Sequence, residues 1–353
     1  MEGEINNAIL VWTTIFVSLS YCHKINQIFP TTNIYRTLSF LPIIILFVLL
    51  PLNLTSIHLG GTTSFFISWL GSFKLILFTF NKGPLSSDPP LPLSLFIPLA
   101  CFPIKLQEYK KEKGLLQKSH KSLLINYAAK VTILAILVCV YEYKNYIHPH
   151  IILCLYCLHI YLMLDILLAI FASLSKALIG LELEPQFNEP YLATSLQDFW
   201  GRRWNLMVSN ILRPTIYGPA RDFSSYFMGH QWAPIPAVWA TFLVSGIMHE
   251  LVFYNFGRLR PTGEVTGFFV LHGVSLSVEI VVKKVLKGKL ILPGIISAPL
   301  TLAYVMYTSF WLFFPPFLRA RADVKGCTES LAFIEFVKTR RLVDPSELTC
   351  PFL

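Results

Sequence analysis

Nine apolar runs dominate this chain, at residues 8–22, 35–53, 57–80, 91–106, 123–143, 150–173, 234–256, 266–282 and 291–314. Roughly 20 apolar residues cross the hydrocarbon core of a bilayer. In lipid every backbone N–H and C=O must be satisfied within the segment, so such runs fold as helices. The pattern predicts an all-α, polytopic membrane helix bundle of about eight to ten transmembrane helices, with the short first and fourth runs tilted or partly re-entrant. Only 14% of the 353 residues are charged, against about 25% in a soluble domain. No polar segment is long enough to bury a core of its own. Residues 1–353 therefore read as a single integral membrane domain, with a long polar loop at 174–233 and a C-terminal tail at 315–353.

The net charge of +9 is gathered in short connections between the apolar runs. Lys105, Lys110, Lys111, Lys113, Lys118 and Lys121 form one cluster, and Lys283, Lys284, Lys287 and Lys289 another. By the positive-inside rule both face the cytosol. This distribution fits membrane topology and anionic headgroups, not nucleic acid. With nine spans, the N-terminus and loop 174–233 are cytosolic and the C-terminus lies across the membrane, although the basic tail (Arg319, Arg321, Lys338, Arg340, Arg341) argues the other way. The seven cysteines read as small buried hydrophobes, not a disulfide framework. Cys154-x-x-Cys157 lies within a span and has no second Cys/His pair, so no metal site is expected. The sequon Asn53-Leu54-Thr55 abuts a helix end on the expected cytosolic side and is expected to be unused.

Within the run Pro234–Phe256 stand His249 and Glu250, about 15 residues in and roughly 22 Å along a helix axis. An ionisable residue at such depth is a functional-site hypothesis by default. Ser245 shares a helical face with His249, and Gly246 leaves room for a neighbouring helix or a substrate. His272 and Glu279 share a face of the next span, as catalytic groups or as polar glue, and Glu279 forms an i, i+4 pair with Lys283. Lys74 is expected to snorkel to the interface, and Asp165 to pair with a basic residue on another helix. Upstream, FWGRRWN (199–205) gathers Trp200, Arg202, Arg203, Trp204 and Asn205, preceded by the Pro-punctuated stretch EPQFNEPYLATSLQD (184–198). Arginine forks recognise phosphate, and tryptophans favour the interface. The composition of 213–228 suits a segment lying along the membrane surface.

The blocks NEPYLATSLQDFWGRRWNLMVS (188–209), LVSGIMHELVFY (243–254), PTGEV (261–265), FFVLHGV (268–274) and the N-terminal PLNLTSIHLGG and SWLGSFKLILFTFNKGPL resemble the membrane-bound O-acyltransferases. More narrowly, they are similar to the plant wax synthase branch, the long-chain-alcohol O-fatty-acyltransferases. The resemblance implies a helix bundle around a reaction chamber in the endoplasmic reticulum membrane. It implies His249 as the catalytic histidine and Asn205 as the polar residue associated with it. It implies acyl-CoA as co-substrate with no other cofactor, and a lipid alcohol as acceptor. Trp200, Arg202, Arg203, Trp204, Glu250 and His272 are then the expected substrate-binding residues. Arg202 and Arg203 stand where sterol- and diacylglycerol-acylating relatives carry the acidic and aromatic positions of an FYxDWWN-like block, which favours the fatty-alcohol branch. A sterol or diacylglycerol acceptor is the alternative within the class. A proton-coupled transporter using His249, Glu250, His272 and Glu279 as a relay is the alternative outside it. The lack of a visible internal repeat argues against a transporter.

Overall fold

The computed structural model describes residues 2–29, 33–102, 120–179, 186–286 and 292–351, and contains no strand among them. Among the described residues, eight helices are long and apolar enough to span a membrane: α1 (Gly3–Ile28), α2 (Ile34–Asn53), α3 (Ile57–Thr79), α4 (Ile125–Tyr146), α5 (Pro149–Phe171), α6 (Pro234–Gly257), α7 (Glu264–Val285) and α8 (Gly294–Arg319). The run at 91–106 yields only the helix Leu93–Cys101, with Pro98 inside it. At 1.5 Å per residue it covers about 14 Å, half of a hydrocarbon core. Its unpaired C-terminal carbonyls are met by Lys74, whose ammonium donates to Leu99 at 2.6 Å and Phe102 at 2.5 Å. Lys74 is thus fully buried and does not snorkel: the short helix offers it acceptors inside the protein.

The chain forms two compact units, one of residues 1–103 and 188–350, the other centred on 104–187. In the second, Asp165 finds the partner expected from another helix, an ion pair with Lys130 at 2.5 Å. In the first, α3 is the most buried helix. Phe66, Ile67, Ser68, Trp69, Leu70 and Gly71 are all buried. Two of its stretches, Ile57–Gly61 and Ser64–Gly71, are wound as π-helix, a widening that recurs at functional sites. Helices α6 and α7 cross at Gly246, which accepts the Thr266 backbone in the place of a side chain.

Two further sets of polar groups mark the ends of the first unit. At one, Lys284 donates to the Gln231 carbonyl, and Glu279 receives Lys283 at 2.6 Å. At the other, Glu4 accepts from the backbone of Thr55 and Ser56 at 2.7 and 2.8 Å. There too Glu329 accepts from the Ser56 hydroxyl, the Ile57 and His58 amides and the His58 ring. Burial raises the Glu329 pKa, but these donors together outweigh it and hold the carboxyl below its usual range. The N-terminal residues and the tail therefore share one end, as the basic tail argued, and not opposite ends as nine spans would give. Among the described residues, the run at 91–106 is helical only over Leu93–Cys101, too short to cross. Cys327 and Cys350 form a disulfide at this same end. The sequence separation of that pair hides it, and the reading of all seven cysteines as free is corrected there.

Within 174–233, the described residues 186–195 are mostly irregular, and 196–232 hold short helices, Leu196–Asp198, Phe199–Arg203, Leu206–Leu212, Arg213–Tyr217 and Gly218–Trp232. The last carries Phe223, Tyr226 and Phe227 outward, all exposed. Glu184 and the lysines at 105–118 and 287–289 lie outside the described residues.

Candidate active site

His249 Nδ1 donates to the Ser245 carbonyl at 2.8 Å. A carbonyl only accepts, so the ring proton sits on Nδ1 and Nε2 keeps its lone pair. Among the described residues no hydrogen bond is made to that nitrogen. The ring lies against Phe269, with centroids 4.2 Å apart and 26° between planes, and packs edge to face with Trp69 at 4.7 Å and with Phe313 at 6.1 Å. A base with a free lone pair is thus walled by aromatic rings, a setting that excludes water.

The FWGRRWN block reaches this wall through one tryptophan. Ser195 caps Leu196–Asp198 by accepting from the Asp198 amide. Glu279 accepts from the Leu196 and Gln197 amides at 2.9 and 3.3 Å, so a carboxylate from α7 satisfies a helix start. The π-turn that follows brings Trp200 to 5.7 Å from Phe269. Its indole donates to His272 Nδ1 at 3.1 Å, and His272 Nε2 lies 2.9 Å from the Thr308 hydroxyl. Thr308 in turn donates to the Tyr304 carbonyl at 2.8 Å. Since an indole N–H only donates, His272 carries its proton on Nε2. Both of its nitrogens are occupied, in a residue with 0% exposure. Trp69, His249, Phe269, Trp200 and His272 form one continuous line.

The remaining candidates stand apart from that line. Glu250 accepts from the Thr266 amide at 3.2 Å and caps the first turn of α7. Arg203 is held by Asp198 at 2.7 Å and by the Asn188 and Glu189 carbonyls, each at 3.2 Å. Arg202 is exposed and has no partner among the described residues. Trp204 stacks on Phe199 with centroids 5.4 Å apart. Asn205 adopts a left-handed backbone (φ 40°), which asparagine tolerates, and its side-chain oxygen accepts from the Val208 amide at 3.4 Å. It starts Leu206–Leu212 and makes no hydrogen bond to His249. Sequence reasoning missed Trp69, Phe269 and Thr308, because an aromatic or threonine in an apolar run carries no sign of its distant partner.

Residues 183–271 match the model of the membrane bound O-acyl transferase family. The acyl-CoA–sterol O-acyltransferase 1 of Arabidopsis thaliana is 44% identical over 338 residues, covering 94% of this chain and 97% of that protein. The long-chain-alcohol O-fatty-acyltransferase of Simmondsia chinensis is 43% identical over 334 residues, covering 93% of this chain and 94% of that protein. These matches cover more than nine-tenths of this chain, and the family model spans both the FWGRRWN block and the His249 helix, so this protein belongs to the membrane-bound O-acyltransferase family.

Proposed function

We propose that this enzyme transfers a fatty acyl group from acyl-CoA to a long-chain alcohol, forming a wax ester, with His249 as general base. The observation that carries the reading is the unpaired Nε2 of His249, set in an aromatic wall within a membrane span. An alcohol is a poor nucleophile until its proton is removed, and a positioned base contributes about 10²–10⁴-fold. Once deprotonated, the alcohol oxygen attacks the thioester carbonyl, and the CoA thiolate leaves with the proton held by His249. The dry surroundings suppress hydrolysis of the thioester. The thioester is already activated, so the reaction asks for no cofactor beyond acyl-CoA itself. In this reading the exposed Arg202 takes the CoA phosphates. The resemblance puts Asn205 at the same site, and its amide nitrogen is uncommitted.

The end with Lys283, Lys284 and Arg202 is assigned to the cytosol. The end with the Cys327–Cys350 bond is assigned to the oxidising lumen of the endoplasmic reticulum. A sterol acceptor is the second reading, favoured by the name of the Arabidopsis relative. Purified protein incubated with labelled acyl-CoA and a panel of fatty alcohols, sterols and diacylglycerols tests both. Ester with fatty alcohols is the expected result. Ester with sterols alone selects the second reading, and transfer to none of the panel overturns both.

A further inference from the structure

Two neighbouring groups in the first unit keep unused hydrogen-bonding capacity. His249 Nε2 holds a lone pair and receives no donor. Trp69 Nε1 holds a proton and reaches no acceptor among the described residues, although the indole is only 1% exposed. The two rings meet edge to face, with centroids 4.7 Å apart. An indole nitrogen is a donor only, and a buried N–H left unmade carries a desolvation penalty. Trp200 and Trp239 avoid it by donating to His272 and Ser277.

The hydroxyls one turn before Trp69 on α3 and at Ser68 already have partners. Ser68 donates to the Phe47 carbonyl at 2.8 Å, and Ser64 accepts from Asn255 on α6 at 3.0 Å. The Phe65 ring packs edge-on against Trp69 at 5.6 Å. The π-winding of Ser64–Gly71 sets this part of α3 off the ordinary helical register.

A free acceptor beside a free donor is complementary to the two groups that meet in acyl transfer to an alcohol. One is a hydroxyl about to lose its proton; the other is a carbonyl about to gain charge. We propose that Trp69 is a catalytic residue, its indole N–H donating to the thioester carbonyl oxygen while His249 Nε2 takes the alcohol proton. The proposal rests on the acyl-transfer reading above. As the alcohol oxygen forms its bond to the carbonyl carbon, the π pair moves onto the oxygen facing Trp69. When that pair returns, the C–S bond breaks and the thiolate departs with the proton from His249. No further reactant is needed. A tryptophan serving only as wall would be replaced by phenylalanine without loss of chemistry.

Trp69→Phe keeps a ring and removes the N–H. Its kcat for ester formation is expected to fall about 10²-fold, the size of losing one oxyanion donor. The KM for acyl-CoA should change by less than about threefold, as for an interaction made in the transition state. Benzothienylalanine at position 69, in which sulfur replaces the N–H within the same outline, should behave alike and guards against a folding defect. A readout independent of turnover uses the His249→Ala protein with acyl-CoA labelled isotopically at the thioester carbonyl. The infrared carbonyl band should lie lower than in free acyl-CoA, and should move back in the His249→Ala/Trp69→Phe double variant. A kcat within about threefold of wild type in both position-69 variants, or a band indifferent to Trp69, overturns the proposal. If wild type esterifies no alcohol while the band still responds to Trp69, the contact stands and the acceptor reading falls.

Discussion

Gly246→Ala tests how tightly the site depends on the α6–α7 crossing. A Cβ added there meets Thr266 Cα at 2.8 Å, its Cγ2 at 3.2 Å and its carbonyl oxygen at 3.3 Å. Carbon pairs settle at about 3.5–4.0 Å, so the helices must part locally by about 1 Å. The first obstacle is backbone and cannot rotate away. Overpacking of this kind costs about 1–3 kcal/mol. Parting also pulls Glu250 from the Thr266 amide, a bond already 3.2 Å long, and losing a helix cap adds about 0.5–2 kcal/mol. His249 and Phe269 lie on the two separating helices with rings 4.2 Å apart, and a 1 Å displacement of a reacting group costs on the order of 10²-fold. The variant is therefore expected to melt lower in detergent and to lose on the order of 10²-fold in kcat. Gly267→Ala is the internal control, because its Cβ would meet nothing within 4 Å. It should gain up to about 1 kcal/mol of helix propensity and keep its activity. Wild-type melting and turnover in Gly246→Ala, or equal damage from Gly267→Ala, would refute the packing argument.

His249→Ala should fold and make no ester. His272→Ala should melt lower, because Trp200 and Thr308 lose their partner at about 1–3 kcal/mol per unpaired group, while retaining measurable turnover per folded molecule. Equal loss of turnover in the two, at equal folded yield, would contradict that division. Arg202→Ala should raise the KM for acyl-CoA more than that for the alcohol, with lysine restoring it only in part, and Arg203→Ala should mainly lower the melting temperature. Steady-state kinetics varying donor and acceptor separately decide this, and an unchanged donor KM in Arg202→Ala ends the phosphate role. Glu329 has a folded-state pKa below its unfolded value of about 4.3. Its stabilisation is complete above the unfolded value and is lost as pH falls through the folded one. The melting advantage of wild type over Glu329→Gln should hold from neutral pH down to about 5 and close below about 4, and a gap independent of pH would rule out the linkage.

The membrane spans were legible because each apolar run carries its own instruction: eight of nine runs became crossing helices. In the ninth, the described part is a helix of Leu93–Cys101 only, whose end is recognisable once Lys74 is seen meeting the Leu99 and Phe102 carbonyls. At the site, the His249 helix and the Trp200 block were visible as polar chemistry in apolar surroundings. The division of labour among them was not. His272 and Glu279 look like catalytic groups until their partners, Trp200 and the Leu196 amide, are known, and those partners are remote in the chain. Trp69 is the opposite case, an ordinary core residue by composition whose significance lies in a bond it does not make. The Cys327–Cys350 pair was hidden for the same reason, since pairing is a fact about space.

The Glu329 carboxylate also changes what the last stretch of this chain means. It sits on the helix Ala322–Thr339 and gathers four donors from Ser56, Ile57 and His58, at the very beginning of α3. Twelve residues along α3 stands Trp69. Cutting the chain after Arg319 would strip that beginning of its anion and leave amide groups bare at a membrane face. The helix Ala322–Thr339 is thus a bolt through the end of the central helix, and the Cys327–Cys350 bond fastens the bolt to the segment that holds Cys350. Reducing agents, short truncations and bulky C-terminal fusions should all be felt in the middle of the bilayer, at the indole and imidazole that meet there.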